Sequence, residues 1–165
     1  MKILTFALVL GAIACIALAK ADSPSAKIRA EQSLLRLHQA ELEAHRRTDW
    51  KPLLAAAQDG FIYIRDGKIS RTNRADTRSM LEKYFKDATY QVYEDLEPPV
   101  VRTSEDGTMG WIISRTHAKR SQRDPATGKE EREEFVYAGI TTYELKSGEW
   151  FRVANASTFE PPPQK

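Results

Sequence analysis

The chain has 165 residues, 41% hydrophobic and 29% charged, with Lys+Arg 25 against Asp+Glu 23 for a formal charge of +2. That length fits one domain with a core large enough to fold without disulfides. The near balance of charge excludes a protein that holds a polyanion by bulk charge, so no nucleic-acid partner is expected, while a small ligand stays open.

Met1-Lys2 is a short basic start, Ile3 to Leu18 is almost wholly apolar, and Ala17-Leu18-Ala19 and Ala19-Lys20-Ala21 are small-x-small triplets. That order predicts a cleaved signal peptide over 1–21, cut near Ala19 or Ala21, and a secreted or periplasmic protein. The apolar run is short for a membrane span, so none is expected after cleavage. Cys15 is not expected to carry a lipid, because Ala12 stands where a lipoprotein has Leu and the chain stays apolar after it. Cleavage after Ala21 removes Lys2, Lys20 and the only cysteine. The mature chain would then be charge-balanced and held by packing alone in an oxidising compartment.

Residues 22–26 read as a polar leader, 27–160 as the folded domain and 161–165 as a Pro-rich tail. From Lys27 to about Arg47 there is no Gly or Pro, and strong helix formers dominate. Leu35, His38, Leu42 and His45 fall on one stripe, with Ile28 further back. Asp49 is expected to cap a short helix over Trp50–Gln58, which Gly60 would end. Phe61 to Arg65 and Lys68 to Arg71 flank Asp66-Gly67, a tight hairpin turn. Asn73 is expected to cap a third helix through Phe85, with Leu81/Phe85 and Met80/Tyr84 at i,i+4. Thr89 to Ser104 reads as one strand broken at Pro98-Pro99. Strands follow at Thr108–Arg120, Glu131–Leu145 and Glu149–Phe159. Three helices followed by an antiparallel meander is an α+β pattern.

Centring the turn before the penultimate strand on Ala126 pairs Trp111 with Thr141, Arg115 with Tyr137 and His117 with Phe135. Centring the last turn on Ser147-Gly148 pairs Tyr143 with Arg152. One face then carries Trp111, Arg115, His117, Tyr137, Tyr143, Trp150 and Arg152. Its Trp, Tyr and Arg content predicts a homodimer interface on the outer sheet face. The other face carries Ser114, Thr116, Ile140, Asn155 and Ser157. Smooth and sparsely polar, it is expected to be concave and to hold a small, largely apolar molecule, with Tyr63 reaching the same space.

Several stretches resemble the SnoaL-like branch of the nuclear transport factor 2-like superfamily: Arg47-Thr-Asp-Trp-Lys-Pro-Leu-Leu54, Asp106-Gly-Thr-Met-Gly-Trp111, Ser147-Gly-Glu-Trp150 and Val153-Ala-Asn-Ala-Ser-Thr158. The resemblance covers roughly residues 27 to 160. It implies a cone-shaped curved antiparallel sheet wrapped around three N-terminal helices, a pocket in the cone and frequent homodimers. Members with isomerase activity carry an acid late in the first strand. Phe61-Ile-Tyr-Ile-Arg65 has none, which argues against steroid-isomerase-like chemistry.

The catalytic site is not identified by any motif; no phosphate loop, nucleophile elbow, zinc motif or dinucleotide fingerprint occurs, and no cofactor is expected. The candidates for catalysis are His38, beside Leu35 and Leu42, and Glu134, the one acid whose parity points inward. His38 and His45 lie two helical turns apart, about 10.5 Å, so they cannot share a metal. His38 with Glu41, or Glu41 with His45, offers only two ligands. Asn155 is disfavoured in a strand and needs a partner if buried; its place in an inward-facing strand also makes Asn155-Ala-Ser157 a poor glycosylation site. Lys119–Arg123 and Lys129–Glu134 carry opposite charges across a hairpin and need no partner. The leading expectation is an exported, cofactor-free domain that binds a small apolar molecule. The alternatives are an isomerase, cyclase or hydratase using His38 or Glu134 with Asn155, and an assembly module with a filled cone.

Overall fold

Ser25 opens the first helix: its hydroxyl accepts a hydrogen bond from the Ile28 amide at 3.3 Å. The computed structural model describes residues 25–124 and 126–161; the expected signal peptide, most of the leader and most of the Pro-rich tail lie outside them. Helix α1 spans Ala26–Arg46. Its buried side is Leu34, His38 and Ala44, whereas Leu35 is only half-buried and Ile28 is 47% exposed. The inward stripe is therefore rotated from the expected one, so that Glu41 points in beside His38 and His45. Thr48 follows with φ 56°, and the Asp49 amide donates back to Ala44, so a non-glycine residue closes the helix in a left-handed turn.

Helix α2, Lys51–Ala56, is shorter than expected; Asp49 Oδ1 accepts from the Lys51 amide at 3.1 Å. Strand β1 begins at once and runs Ala57–Arg65, so Gly60, at φ +80°, sits inside a strand irregularity and does not end the helix. Asp66-Gly67 turns it into β2, Lys68–Thr72. Asn73 caps α3, Arg74–Phe85, by accepting from the Asp76 amide, as the sequence predicts. Strands β3 (Ala88–Asp95) and β4 (Val100–Thr103) flank Pro98-Pro99 and both pair with β5, Met109–Arg123. Strands β6 (Glu130–Lys146) and β7 (Glu149–Phe159) complete the sheet.

The seven strands form one curved sheet in the order β2-β1-β7-β6-β5-β3, with β4 also on β5. It is not wholly antiparallel: the first and last strands, β1 and β7, run parallel. Such a pair cannot be read from hairpin arithmetic, because the whole domain is its crossover. Among the described residues, no helix is long and apolar enough to cross a membrane.

Two register details decide the faces. Arg123 pairs with Glu130, so the loop between β5 and β6 holds an even number of residues and pairs odd positions with even ones: Trp111 with Thr142, Arg115 with Ala138, His117 with Val136. The expected register is one residue off, which turns every β6 side chain to the opposite face. Tyr137 and Tyr143 point into the cone, and Ile140, 37% exposed, points out. On β7 the expected pairing of Tyr143 with Arg152 holds, but Thr142 then pairs with Ala154, leaving Val153 as an extra residue. This bulge puts Arg152 and, beyond it, Asn155, Ser157 and Phe159 on the same concave side.

The core has two parts. Leu53, Leu54, Leu81, Phe85, Tyr90 and Tyr93 pack with Ala44 and Ala118 near one end. Leu34, Ile112, Tyr143 and Trp150 form the second.

Candidate functional site

Between these cores the helices and the concave face leave a cavity of about 760 Å³, bordered by Leu53, Leu81 and Tyr93 of the first cluster and Ile112 of the second. Its walls are rich in rings. Phe61 meets Tyr63 edge-on at 4.6 Å, and Tyr137 and Phe159 lie 5.6 Å apart. Helix α1 supplies the polar floor, because His38, Glu41 and His45 recur at i, i+3 and i+7 on its inward side.

Each of these groups has a defined partner. His38 Nε2 donates to Asp95 Oδ2 at 2.7 Å, and Thr116 Oγ1 donates to Asp95 Oδ1 at 3.2 Å. Glu41 Oε1 lies 3.2 Å from Arg152 Nε, both side chains largely buried. The two are held by charge, since neither atom makes an aligned hydrogen bond. Arg152 Nη2 also donates to the Leu53 carbonyl at 2.5 Å, tying β7 to α2. Burial opposes its charge, but Glu41 and the surrounding tyrosines keep Arg152 above the usual guanidinium range, so it is a cation.

His45 stacks flat on Tyr93, ring centroids 4.0 Å apart, and its Nδ1 donates to the Glu41 carbonyl at 2.8 Å. Burial lowers its pKa from 6.5 to about 4, with the nearby cations Arg152 and Arg120 adding to the effect, so it is a neutral imidazole at ordinary pH. Tyr93 and Tyr137 join hydroxyl to hydroxyl at 2.7 Å. Burial raises both above the usual phenol value, which keeps them protonated. Among the described residues, no group of three or more His, Cys, Asp or Glu could hold a metal ion.

Of the residues expected at a ligand site, Tyr63, Ser114, Asn155 and Ser157 line the cavity. Asn155 Nδ2 donates to Thr141 Oγ1 at 3.0 Å. Thr116 is wholly buried and serves Asp95, and Ile140 faces outward. His38 lies at the cavity. Glu134 does not point in: the register shift puts it beside His117 at 3.0 Å and Lys119 at 3.5 Å, and it reaches only the rim. Among the residues expected on the outer face, Trp111 and Arg115 are there, with Arg115 paired to Glu160. Tyr137 and Arg152 instead line the cavity, and Tyr143 (0% exposed) and Trp150 (8%) belong to the core. Sequence reasoning missed Asp95, Tyr93 and the role of Glu41. The i, i+3, i+7 spacing on α1 was a visible signal for Glu41; nothing local marked Asp95.

No protein-family model matches the sequence, and no curated protein matches it. Solved structures do. An NTF2-like protein from Cytophaga hutchinsonii aligns with TM-score 0.61 at 12% identity, over 78% of this chain and 97% of that one. A ketosteroid isomerase-like protein from Erwinia carotovora atroseptica gives TM-score 0.60 at 17% identity, over 80% and 97%. A candidate polyketide cyclase from Xanthomonas campestris gives TM-score 0.52 at 20% identity, over 79% and 93%. At such identities the likeness is one of fold alone. The chain has the nuclear transport factor 2-like fold.

Proposed function

We propose that this is an exported small-molecule-binding domain whose ligand occupies the cone. The observation that carries the reading is the cavity of about 760 Å³, walled by rings and aliphatic groups together with polar and charged side chains, among them His38, Glu41, His45, Arg120 and Arg152. That volume is typical of ligand sites, and the open space speaks against an assembly module with a filled cone. Titration with the apolar fluorophore 1-anilinonaphthalene-8-sulfonate tests it. One saturable site per chain is expected, weakened in Ser114→Trp, whose indole would occupy part of the cavity. Binding that fails to saturate, or that the substitution leaves unchanged, overturns the reading.

Export rests on the order of basic start, apolar run and small residues in 1–21. Sequencing the N-terminus of protein recovered from the medium or periplasm should find a start at Lys20 or Asp22. The outer sheet face exposes Ile64, Ile113 and Ile140 at 41%, 44% and 37%. Such a surface suits a second copy of the chain, and Ile113→Glu should convert a dimer to a monomer in sedimentation.

A second reading is favoured by one observation, the His38–Asp95–Thr116 chain. With Nε2–H held by the carboxylate, His38 Nδ1 is the basic nitrogen, as a proton-transfer catalyst acting on an apolar substrate requires. Deuterium exchange into an enolisable ketone such as 2-tetralone, lost in His38→Gln, would establish it. Equal exchange by the two proteins would exclude it.

A further inference from the structure

His45 carries a polar atom that the fold leaves unused. A carbonyl can only accept, so the 2.8 Å bond to the Glu41 carbonyl requires the hydrogen to sit on Nδ1. The other nitrogen, Nε2, then presents a lone pair. It has no hydrogen-bond partner among the described residues, nor is it among the occluded polar atoms, while the ring itself lines the cavity. The ring cannot swing away to find a partner. It is stacked on Tyr93 within 3° of parallel, with Phe85 5.2 Å and Tyr90 5.9 Å from it.

Protonation would cancel the lone pair, and the surroundings oppose it. Arg152 and Arg120 repel a third cation, and Tyr93 and Tyr84 offer no charge to balance one. The single carboxylate on the same helix face, Glu41, is already engaged with Arg152. A fixed, neutral acceptor that opens onto the cavity loses a hydrogen bond whenever a molecule without a donor displaces solvent from it.

We infer that His45 is a specificity-determining residue: its Nε2 accepts a hydrogen bond from a hydroxyl or N–H group of the bound molecule, and so selects donors over isosteric ethers. The inference rests on the cavity being the ligand site, and it adds the chemical class of what binds there.

Two isomeric probes separate the possibilities, 6-methyl-2-naphthol and 2-methoxynaphthalene, which share a formula and differ in the O–H donor. Calorimetry on the wild-type protein at neutral pH should show the naphthol about tenfold tighter, the usual value of one buried hydrogen bond. In His45→Phe, which keeps a stacking ring and removes the acceptor, the preference should vanish while the ether's affinity stays within about twofold. His45→Gln, whose side-chain carbonyl can accept, should restore part of it. A measurement without any variant is the ¹⁵N resonance of Nε2, which should move on adding the naphthol and stay with the ether. Equal affinities in the wild type, or a preference that survives His45→Phe, overturns the inference and leaves the binding site standing. Failure of both isomers to bind overturns the cavity reading and the inference together.

Discussion

Glu41 of α1 and Arg152 of β7 meet at 3.2 Å inside the cone, and their side chains keep only 13% and 15% of their exposure. Removing one partner leaves the other as an uncompensated buried charge. Glu41→Gln should therefore cost about 3–5 kcal/mol in urea denaturation. Replacing both, Glu41→Leu with Arg152→Met, should recover most of that loss, because the double variant has no charge to desolvate. Equal losses in single and double variants would show that the pair's packing matters and its charge does not.

The buried imidazole of His45 sets a pH dependence. Its folded pKa, about 4, lies below the 6.5 of the unfolded chain, mainly through burial. Above pH 6.5 both states hold it neutral and its contribution is intact. As pH falls below 6.5 the unfolded chain takes a proton that the folded chain refuses, so stability drops until both are protonated near pH 4. Between pH 7 and pH 5 the loss from this group is roughly 2 kcal/mol. The measurement is the difference between wild type and His45→Phe. The variant should lose less stability on acidification.

The rotated stripe of α1 is tested by two truncations. Leu34 is 0% exposed and packs with Ile112, Tyr143 and Trp150. Leu34→Ala should cost about 3 kcal/mol from lost transfer energy and the void left behind. Ile28 is 47% exposed near the start of the helix, and Ile28→Ala should fall within about 0.5 kcal/mol of wild type. Comparable losses at both positions would mean that the helix sits on the sheet as its apolar periodicity alone suggests.

What could be read from the residues follows the range of the physics. Turn and cap chemistry is local, so the Asp66-Gly67 hairpin, the Asn73 cap and the break at Pro98-Pro99 were legible. Faces were harder because they depend on parity. The β5–β6 loop carries an even number of residues, and that single fact moves Tyr137 and Tyr143 inward and Ile140 outward. The Val153 bulge then puts Arg152 and Asn155 on one side, which no strict alternation permits. His38 could be suspected from its place on α1. Its partner Asp95 could not, being 57 residues distant and recruited only when the bent β3 strand crosses the helix.

Gly139 shows how closely β6 and β7 approach where they line the cavity. A Cβ there would come within 2.8 Å of the Ala156 carbonyl oxygen, a backbone atom that cannot turn aside, and 3.4 Å from Ser157 Cβ. Gly139→Ala should force the strands apart and cost about 1–3 kcal/mol. The same shift would displace Ser157 and Asn155, which pair with β6 on either side of the contact, so probe affinity should fall along with stability. Gly148 supplies the control. A Cβ at that position would meet no atom within 4 Å, but its φ is +85°, so Gly148→Ala should cost about 1 kcal/mol through the backbone alone and leave probe affinity unchanged. If Gly139→Ala lowered stability without altering affinity, the strand spacing at this point would not be what holds Asn155 and Ser157 against the ligand.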